Sequence, residues 1–253
     1  MLILGLDFET TGLSFTDDRI TEIGAVLWDT DARMPVQIFN TLVKHADGPP
    51  ITDEITRLTG ITQAMLDAYG VAPAAAFRRL CAMAATAGIV VAHNGNGFDR
   101  PMFEAQMLRF SAVPETATIT SAAAAQEVLW VDTCMDVPYP ASISTRKLVH
   151  LAAEHGFLNP FAHRAVFDVL TMLKVLDAYI STPAGLDAVL ESARQPMVTL
   201  QAIVNFDDRD KAKARGYRWR AATKQWVRHI KSHHADAERR DCGFNVELMP
   251  FTP

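Results

Sequence analysis

The pattern of apolar and polar positions divides the chain into strands first and helices later. Residues 2–8 (LILGLDF) form an apolar run ending in acids, as expected of a strand buried on both faces that delivers side chains to a site at its end. A turn follows at Thr11-Gly12. Residues 20–29 (ITEIGAVLWD) and 36–43 (VQIFNTLV) predict second and third strands, joined by a hairpin connection from Arg33 to Pro35. Beyond Pro49 the periodicity turns helical. Residues 51–58 make a short candidate helix, and the Ala-rich 73–87 opens on a proline, a residue favoured at a helix start. Residues 88–92 (GIVVA) predict another buried strand, and a helix runs from about Asp99 to Phe110. Further on, 118–127 reads as helix, 128–132 (VLWVD) as strand and 145–155 as helix. Residues 163–179 give a helix with an apolar stripe of Val166, Leu170, Leu173, Val175 and Leu176. Three strands, then helices interleaved with two more strands, predict an α/β domain with a mixed central sheet.

A helix near 184–194 ends at Gln195-Pro196, which marks a boundary. Residues 1–195 then form one large domain. Residues 197–253 form a small α+β module, with strands at 198–205, 225–230 and 244–249 and a helix around 207–215. A module of that size holds little core of its own.

Composition changes the picture in two ways. The 253 residues are 49% hydrophobic and 21% charged, as in an ordinary globular protein, and no apolar run approaches the ~18 residues needed to span a bilayer. The opening MLILGLDFETTGL lacks a basic segment and meets acids at Asp7 and Glu9, so it does not read as a secretory signal. Cys81, Cys134 and Cys242 are widely spaced and odd in number, which fits reduced thiols and a cytoplasmic location. The net charge of −5 is unevenly spread: residues 197–253 carry 11 Lys and Arg against 7 Asp and Glu, leaving the body acidic and the end basic. Part of the body's negative charge is therefore a candidate cation site.

Asp7 and Glu9 lie two apart on the first strand, so both side chains leave one face while Phe8 points to the other. Two carboxylates at the end of a hydrophobic strand repel each other, and a divalent cation with its preference for oxygen ligands relieves that repulsion. The pair alone is read equally well as two acids emerging into solvent. Asp99 follows a second apolar strand and the turn AHNGNGFD. There Gly95 and Gly97 permit positive φ and Asn94 supports the turn, although an isolated Asp at a helix start is also an ordinary N-cap. His163 and Asp168, in HRAVFD, fit a histidine on the incoming loop and an acid in the first helical turns. Imidazole changes charge near neutral pH and can take a proton from an attacking water. Taken singly, each is better read as a surface histidine and a helix-start acid.

Together the motifs are far more specific. DFETTGL at 7–13, AHNGNGFD at 92–99 and HRAVFD at 163–168 resemble, in order and spacing, the three exonuclease motifs of the DnaQ-like superfamily in its histidine (DEDDh) subgroup. TGIT at 59–62, VDT at 131–133 and KLVHLAAEHGF at 147–157 resemble the intervening segments, so the likeness covers roughly residues 2–179. It implies a ribonuclease H-like fold and 3′–5′ exonuclease activity. It also implies two divalent ions, Mg²⁺ or Mn²⁺, held by Asp7, Glu9, Asp99 and Asp168, with His163 as general base. Thr10, Thr11, Gly12, Leu13, Thr59, Asn94 and Phe98 are the implied substrate contacts. Two departures stand out. The second motif carries an extra residue in Gly95-Asn96-Gly97, and Thr59 stands where the family often has histidine.

The implied substrate is nucleic acid with a free 3′ end, with DNA favoured over RNA and single-stranded ends preferred, releasing nucleoside 5′-monophosphates. A proofreading subunit bound to a DNA polymerase, or working with other replication and repair proteins, is an alternative. So is a catalytically silent nucleic-acid-binding protein. In the module, KAKARGYRWRAATKQWVRHI (211–230) interleaves cations with Tyr217, Trp219 and Trp226. Such a pattern suits phosphates and unpaired bases. The size of the module favours the two tryptophans as its core, with a basic rim left to guide substrate.

Overall fold

The computed structural model describes residues 1–112, 128–140 and 142–250. The chain divides into two compact units, Met1–Leu190 and Glu191–Pro253. No described helix is long and apolar enough to cross a membrane.

The first unit is built on a five-stranded mixed sheet of order β3-β2-β1-β4-β5. Its strands are β1 (Leu2–Thr10), β2 (Ile20–Asp29), β3 (Met34–Leu42), β4 (Ile89–Ala92) and β5 (Leu129–Asp132). β1 is central, antiparallel to β2 and parallel to β4. It reads as an almost continuous apolar run because both its faces are covered. Leu4, Leu6 and Phe8 pack with Phe77 and Leu80 of helix α3 (Pro73–Ala87), and the Phe8 and Phe77 rings stack 6.1 Å apart. Burying a side chain such as Phe77 contributes about 1.5–3 kcal/mol. The opposite face receives α6 (Ala165–Ile180), with Gly5 close under Val169 and Leu173.

The remaining helices are α1 (Asp53–Thr59), α2 (Gln63–Tyr69), α4 (Asp99–Ser111), α5 (Leu148–Glu154) and α7 (Pro183–Arg194). Local chemistry fixes several ends. Thr52 and Thr62 cap α1 and α2 through side-chain oxygens, and Gly60 and Gly88 close α1 and α3 with left-handed φ of 73° and 70°.

The expected strands and most helices are present, with differences that have physical causes. α2 has too few residues to show an apolar stripe. Pro35 lies inside β3 rather than in the hairpin, which is tolerated because β3 is an edge strand and the register shifts there. Arg33 alone takes the strained turn, at φ 57°, and its guanidinium grips buried Asp177. α6 starts at Ala165 and leaves His163 outside it. It is also buried beyond the expected stripe, at Ala165, Val169 and Met172. The helix expected at 118–127 lies outside the described residues.

The second unit holds a four-stranded antiparallel sheet of order β7-β8-β6-β9. The strands are β6 (Met197–Ile203), β7 (Arg218–Arg220), β8 (Gln225–Lys231) and β9 (Asn245–Met249), accompanied by α8 (Arg209–Ala214) and α9 (Ala235–Asp241). Its core comprises Leu200, Ala202, Ala212, Tyr217, Ile230, Ala235, Cys242 and Val246. The expectation of a two-tryptophan core is corrected here. Tyr217 fills the centre at 1% exposure and Trp226 packs only partly against it, while Trp219 is 51% exposed.

Candidate active site

The site grows from the end of β1. Asp7 and Glu9 share the face covered by α6, with Asp7 half-buried and Glu9 buried. Register places Glu22 of β2 beside Glu9 and Gly24 beside Asp7. Sequence reasoning passed over both. Glu22 is fully buried, with its carboxylate held by the Arg164 guanidinium at 2.8 and 3.1 Å and accepting the Ala165 amide at 3.1 Å. The first free amide of α6 is thus capped by an acid from another strand. Gly24 makes the approach possible, since a Cβ there would lie 2.3 Å from the Ala165 carbonyl carbon, which is backbone and cannot step aside.

That landing point sets Asp168 and His163. Asp168 accepts the His163 amide on Oδ2 and the Asn159 side-chain amide on Oδ1, both at 2.7 Å. His163 sits at φ 63°, a left-handed conformation that His tolerates better than most residues, and its side chain is exposed. Ligand atoms of Glu9, His163 and Asp168 all lie within 4.8 Å of one another.

Asp99 arrives from the other side. β1 runs past its pairing with β4, which ends opposite Gly5, so the Phe8 amide points beyond that partner and donates to Asp99 Oδ1 at 3.1 Å. Asp99 is 1% exposed and is the first residue of α4; the N-cap position belongs to Phe98. The preceding turn works differently from the sequence expectation. The positive φ is at Asn94 (63°), not at Gly95 or Gly97. The glycines supply room instead: a Cβ at Gly95 would come 2.6 Å from that of Ala92. Asp132, at the end of β5, receives the amides of Asn94, Asn96 and Cys134 at 2.9–3.1 Å and so holds this turn with its additional residue. His93 is fixed between Thr133 and the Arg146 carbonyl, both at 2.7 Å.

Electrostatically the cluster is crowded. Burial, then the charges of Asp99, Glu9, Asp168 and Glu22, holds the Asp7 carboxyl well above its ordinary range. Burial chiefly, with Asp168, Glu22 and Asp99 adding, raises Glu9 to about 8, against a smaller opposing pull from Arg164. Burial raises Asp99 to about 8 and Asp132 to about 6, and it raises Asp168 despite the His163 amide. Among the described residues, the guanidinium beside these acids, that of Arg164, is committed to Glu22. A set of oxygen donors that resists ionisation until positive charge arrives, with one imidazole at its edge, suits a hard divalent ion.

The expected substrate contacts fall into two groups. The Thr10 hydroxyl donates to the Gly12 carbonyl (2.6 Å). That of Thr11 donates to Asp18 (2.7 Å). Buried Thr59 donates to the Ile55 carbonyl and accepts the Ile61 amide. All three hold their own loops. Gly12 packs against the Asp18 carboxylate with no space for a side chain. Leu13 (80% exposed) and Asn94 are open, and Phe98 is partly open. Phe15, which carried no sequence signal, is also exposed, its ring 6.3 Å from that of Phe98. Arg109 steadies this loop by donating to the carbonyls of Phe15, Thr16 and Asp18.

A family model described as Exonuclease (RNase T) matches residues 4–176. No curated protein sequence matches the chain. Among solved structures, Escherichia coli exonuclease I in complex with a dA16 oligonucleotide aligns with a TM-score of 0.57 and 16% identity, covering 79% of this chain and 48% of that one. The zinc-bound form of the E. coli exonuclease I–ssDNA complex gives 0.64 and 13%, covering 96% and 68%. A 3′-exonuclease described in 3′-end recognition of a histone mRNA stem-loop gives 0.50 and 15%, covering 71% and 63%. The chain therefore spans about half of the first exonuclease I chain, and at these identities the likeness is one of fold.

Proposed function

The chain belongs to the exonuclease family, in the DnaQ-like DEDDh pattern of the ribonuclease H-like fold, and from that membership we propose that it is a metal-dependent 3′–5′ exonuclease. It hydrolyses the last phosphodiester bond at a free 3′ end and releases nucleoside 5′-monophosphates. Single-stranded DNA is the preferred substrate in this reading, supported by the oligodeoxynucleotide and ssDNA complexes of exonuclease I. The observation that supports it is that ligand atoms of Glu9, His163 and Asp168 lie within 4.8 Å of one another, with Asp99, Glu9 and Asp168 near enough to Asp7 for their charges to raise its carboxyl.

Two divalent ions, Mg²⁺ or Mn²⁺, held by these four carboxylates, would polarise the scissile phosphate and offset charge on the departing 3′ oxygen. The protein's own groups do the rest. The His163 imidazole takes the proton of the attacking water, and its exposure leaves it free to pass that proton to solvent. Its main-chain amide keeps Asp168 aimed at the site. Leu13 and Phe98 present apolar surface to the terminal base, while Thr10 and Thr11 keep the loop in shape.

The test is digestion of 5′-end-labelled single-stranded DNA, duplex DNA and RNA with Mg²⁺. A ladder shortening from the 3′ end, abolished by EDTA and by Asp7→Ala, is the expected result. Cleavage that survives EDTA, or internal cuts without a 3′ ladder, would sink the reading.

A further inference from the structure

The small module carries an exposed indole that its core does not use. Trp219 lies on the edge strand β7, paired in register with Trp226 of β8, and the two rings sit 5.7 Å apart at 56°. Trp226 packs against the core and Tyr217 fills it, so Trp219 rests on a supported ring with half its surface in solvent. Keeping a large apolar ring there costs hydrophobic stabilisation, about 25 cal/mol for each Å² left wet. Some other contact is therefore expected to account for it.

The surroundings indicate which. Arg218 and Arg220 precede and follow Trp219 on β7 and leave the other face of the same edge strand, and Lys224 closes the β7–β8 turn at φ 54°. Arg218 and Lys224 are exposed and make no ion pair among the described residues. The module's buried acid, Glu238, is already saturated by Arg215 and Arg228 at 2.7 and 2.9 Å, so it does not offset the surface cations. Residues 197–253 carry 11 cations against 7 acids, in a chain whose remainder is acidic.

We propose that Trp219, with Arg218 and Lys224, forms a stacking site for an unpaired base of single-stranded nucleic acid, the cations meeting the adjacent phosphates. This rests on the reading of the chain as a nuclease. A flat π-face beside uncompensated cations matches a flexible polyanion with exposed base faces. Along a duplex those faces are stacked inside, leaving phosphates and groove edges on the outside.

The test uses the full chain in EDTA, so that binding is read without hydrolysis, with 5′-fluorescein oligothymidylate and a duplex of equal length as probes. Trp219→Ala weakens the oligothymidylate Kd about tenfold, corresponding to one lost stacking contact. Trp219→Phe recovers most of that loss. Arg218→Glu weakens binding and lowers the salt slope by about one. Phe206→Ala, which removes another exposed ring whose face is already taken by the Arg209 guanidinium at 3.7 Å, changes Kd less than about twofold. In parallel, the unaltered chain is assayed for hydrolysis of a trinucleotide with Mg²⁺, so the catalytic reading stands or falls by a separate measurement. Unchanged oligothymidylate binding in Trp219→Ala would overturn the proposal, as would an equal loss for duplex. Capture of a protein that Trp219→Ala abolishes while oligothymidylate binding persists would overturn it as well. Should Trp219→Ala lower the Tm, the salt slope of Arg218→Glu decides: a slope equal to wild type rejects the site.

Discussion

Each unit of the molecule buries acidic charge, and the two do so in opposite ways. In the small module, Glu238 is enclosed between the guanidiniums of Arg215 and Arg228, and burial, which alone would push its carboxyl up, is outweighed so that it stays below the ordinary range. Around the end of β1, Asp7, Glu9, Asp99 and Asp168 lie with no free Lys or Arg among them in the described residues, and every one is pushed upward. Glu22 shows that the large domain can do otherwise: one strand away from Glu9, it is fully buried and matched by Arg164. Matched burial holds structure together. Unmatched burial is unfavourable by itself and persists where a ligand relieves it. The contrast separates an acid that builds the fold from acids that the proposed reading assigns to a cation.

The sharpest break of that contrast is Asp7→Asn. It keeps the shape and removes one of the crowded charges, so turnover on labelled single-stranded DNA falls by at least about 10³-fold. The same change raises the Tm of the metal-free protein at pH 8, because the repulsion it relieves is real. Loss of activity together with loss of stability would mean that the carboxylate is structural and the comparison false.

His163→Ala comes next. In the proposed reading the histidine serves the site through its imidazole as well as through the amide it donates to Asp168, and only the first is removed by substitution. Turnover drops by about 10²–10⁴-fold, while KM and the Mg²⁺ concentration for half-activity stay within about twofold. A matching rise in Mg²⁺ requirement would place the imidazole among the ligands instead.

The third effect needs no mutation. Glu9 and Asp99 titrate near 8 in the folded protein and near their ordinary values when unfolded. A raised acid pKa means that the folded state binds the proton more tightly. The stabilisation is present below the unfolded pKa of about 4 and is lost progressively as pH rises towards 8. In EDTA the Tm should fall between pH 5 and pH 8.5 by on the order of 5 °C, and saturating Mg²⁺ should remove most of the fall. A flat profile in EDTA would show that the four acids are not crowded in solution.

Much of this frame was legible in the sequence, because burial on both faces writes a strand such as β1 as an apolar run, and Pro73 and Gly88 bracket α3 by their backbone chemistry. The five candidate residues, Asp7, Glu9, Asp99, His163 and Asp168, stand out in the sequence as motifs. What escaped depends on register and conformation rather than residue type. Glu22 reads as a solvent-facing acid until β2 is paired with β1, which places it beside Glu9. Nothing in HNGNGFD tells that Asn94 takes the left-handed conformation and that the glycines serve for space. Strand β7, three residues with no alternation to read, hid the position of Trp219 on an edge, and Tyr217 three residues after Ala214 gave no sign that it would take the core.

Glu238→Ala completes the comparison with the smallest effect on turnover. It strands two guanidiniums, each about a third exposed (36% and 34%), so the cost lies between that of an exposed pair and that of a fully buried one, about 1–3 kcal/mol. The module should therefore lose thermal stability, seen as a lower melting transition by calorimetry or tryptophan fluorescence. Hydrolysis of a trinucleotide should stay within about twofold of wild type, because the proposed reading assigns the chemistry to the unmatched acids of the other unit. Asp7→Asn and Glu238→Ala thus predict opposite signs in stability and unequal losses in turnover for the removal of one buried carboxylate. If both moved stability in the same direction, matched and unmatched burial would no longer distinguish the acids of the site from the acids of the fold.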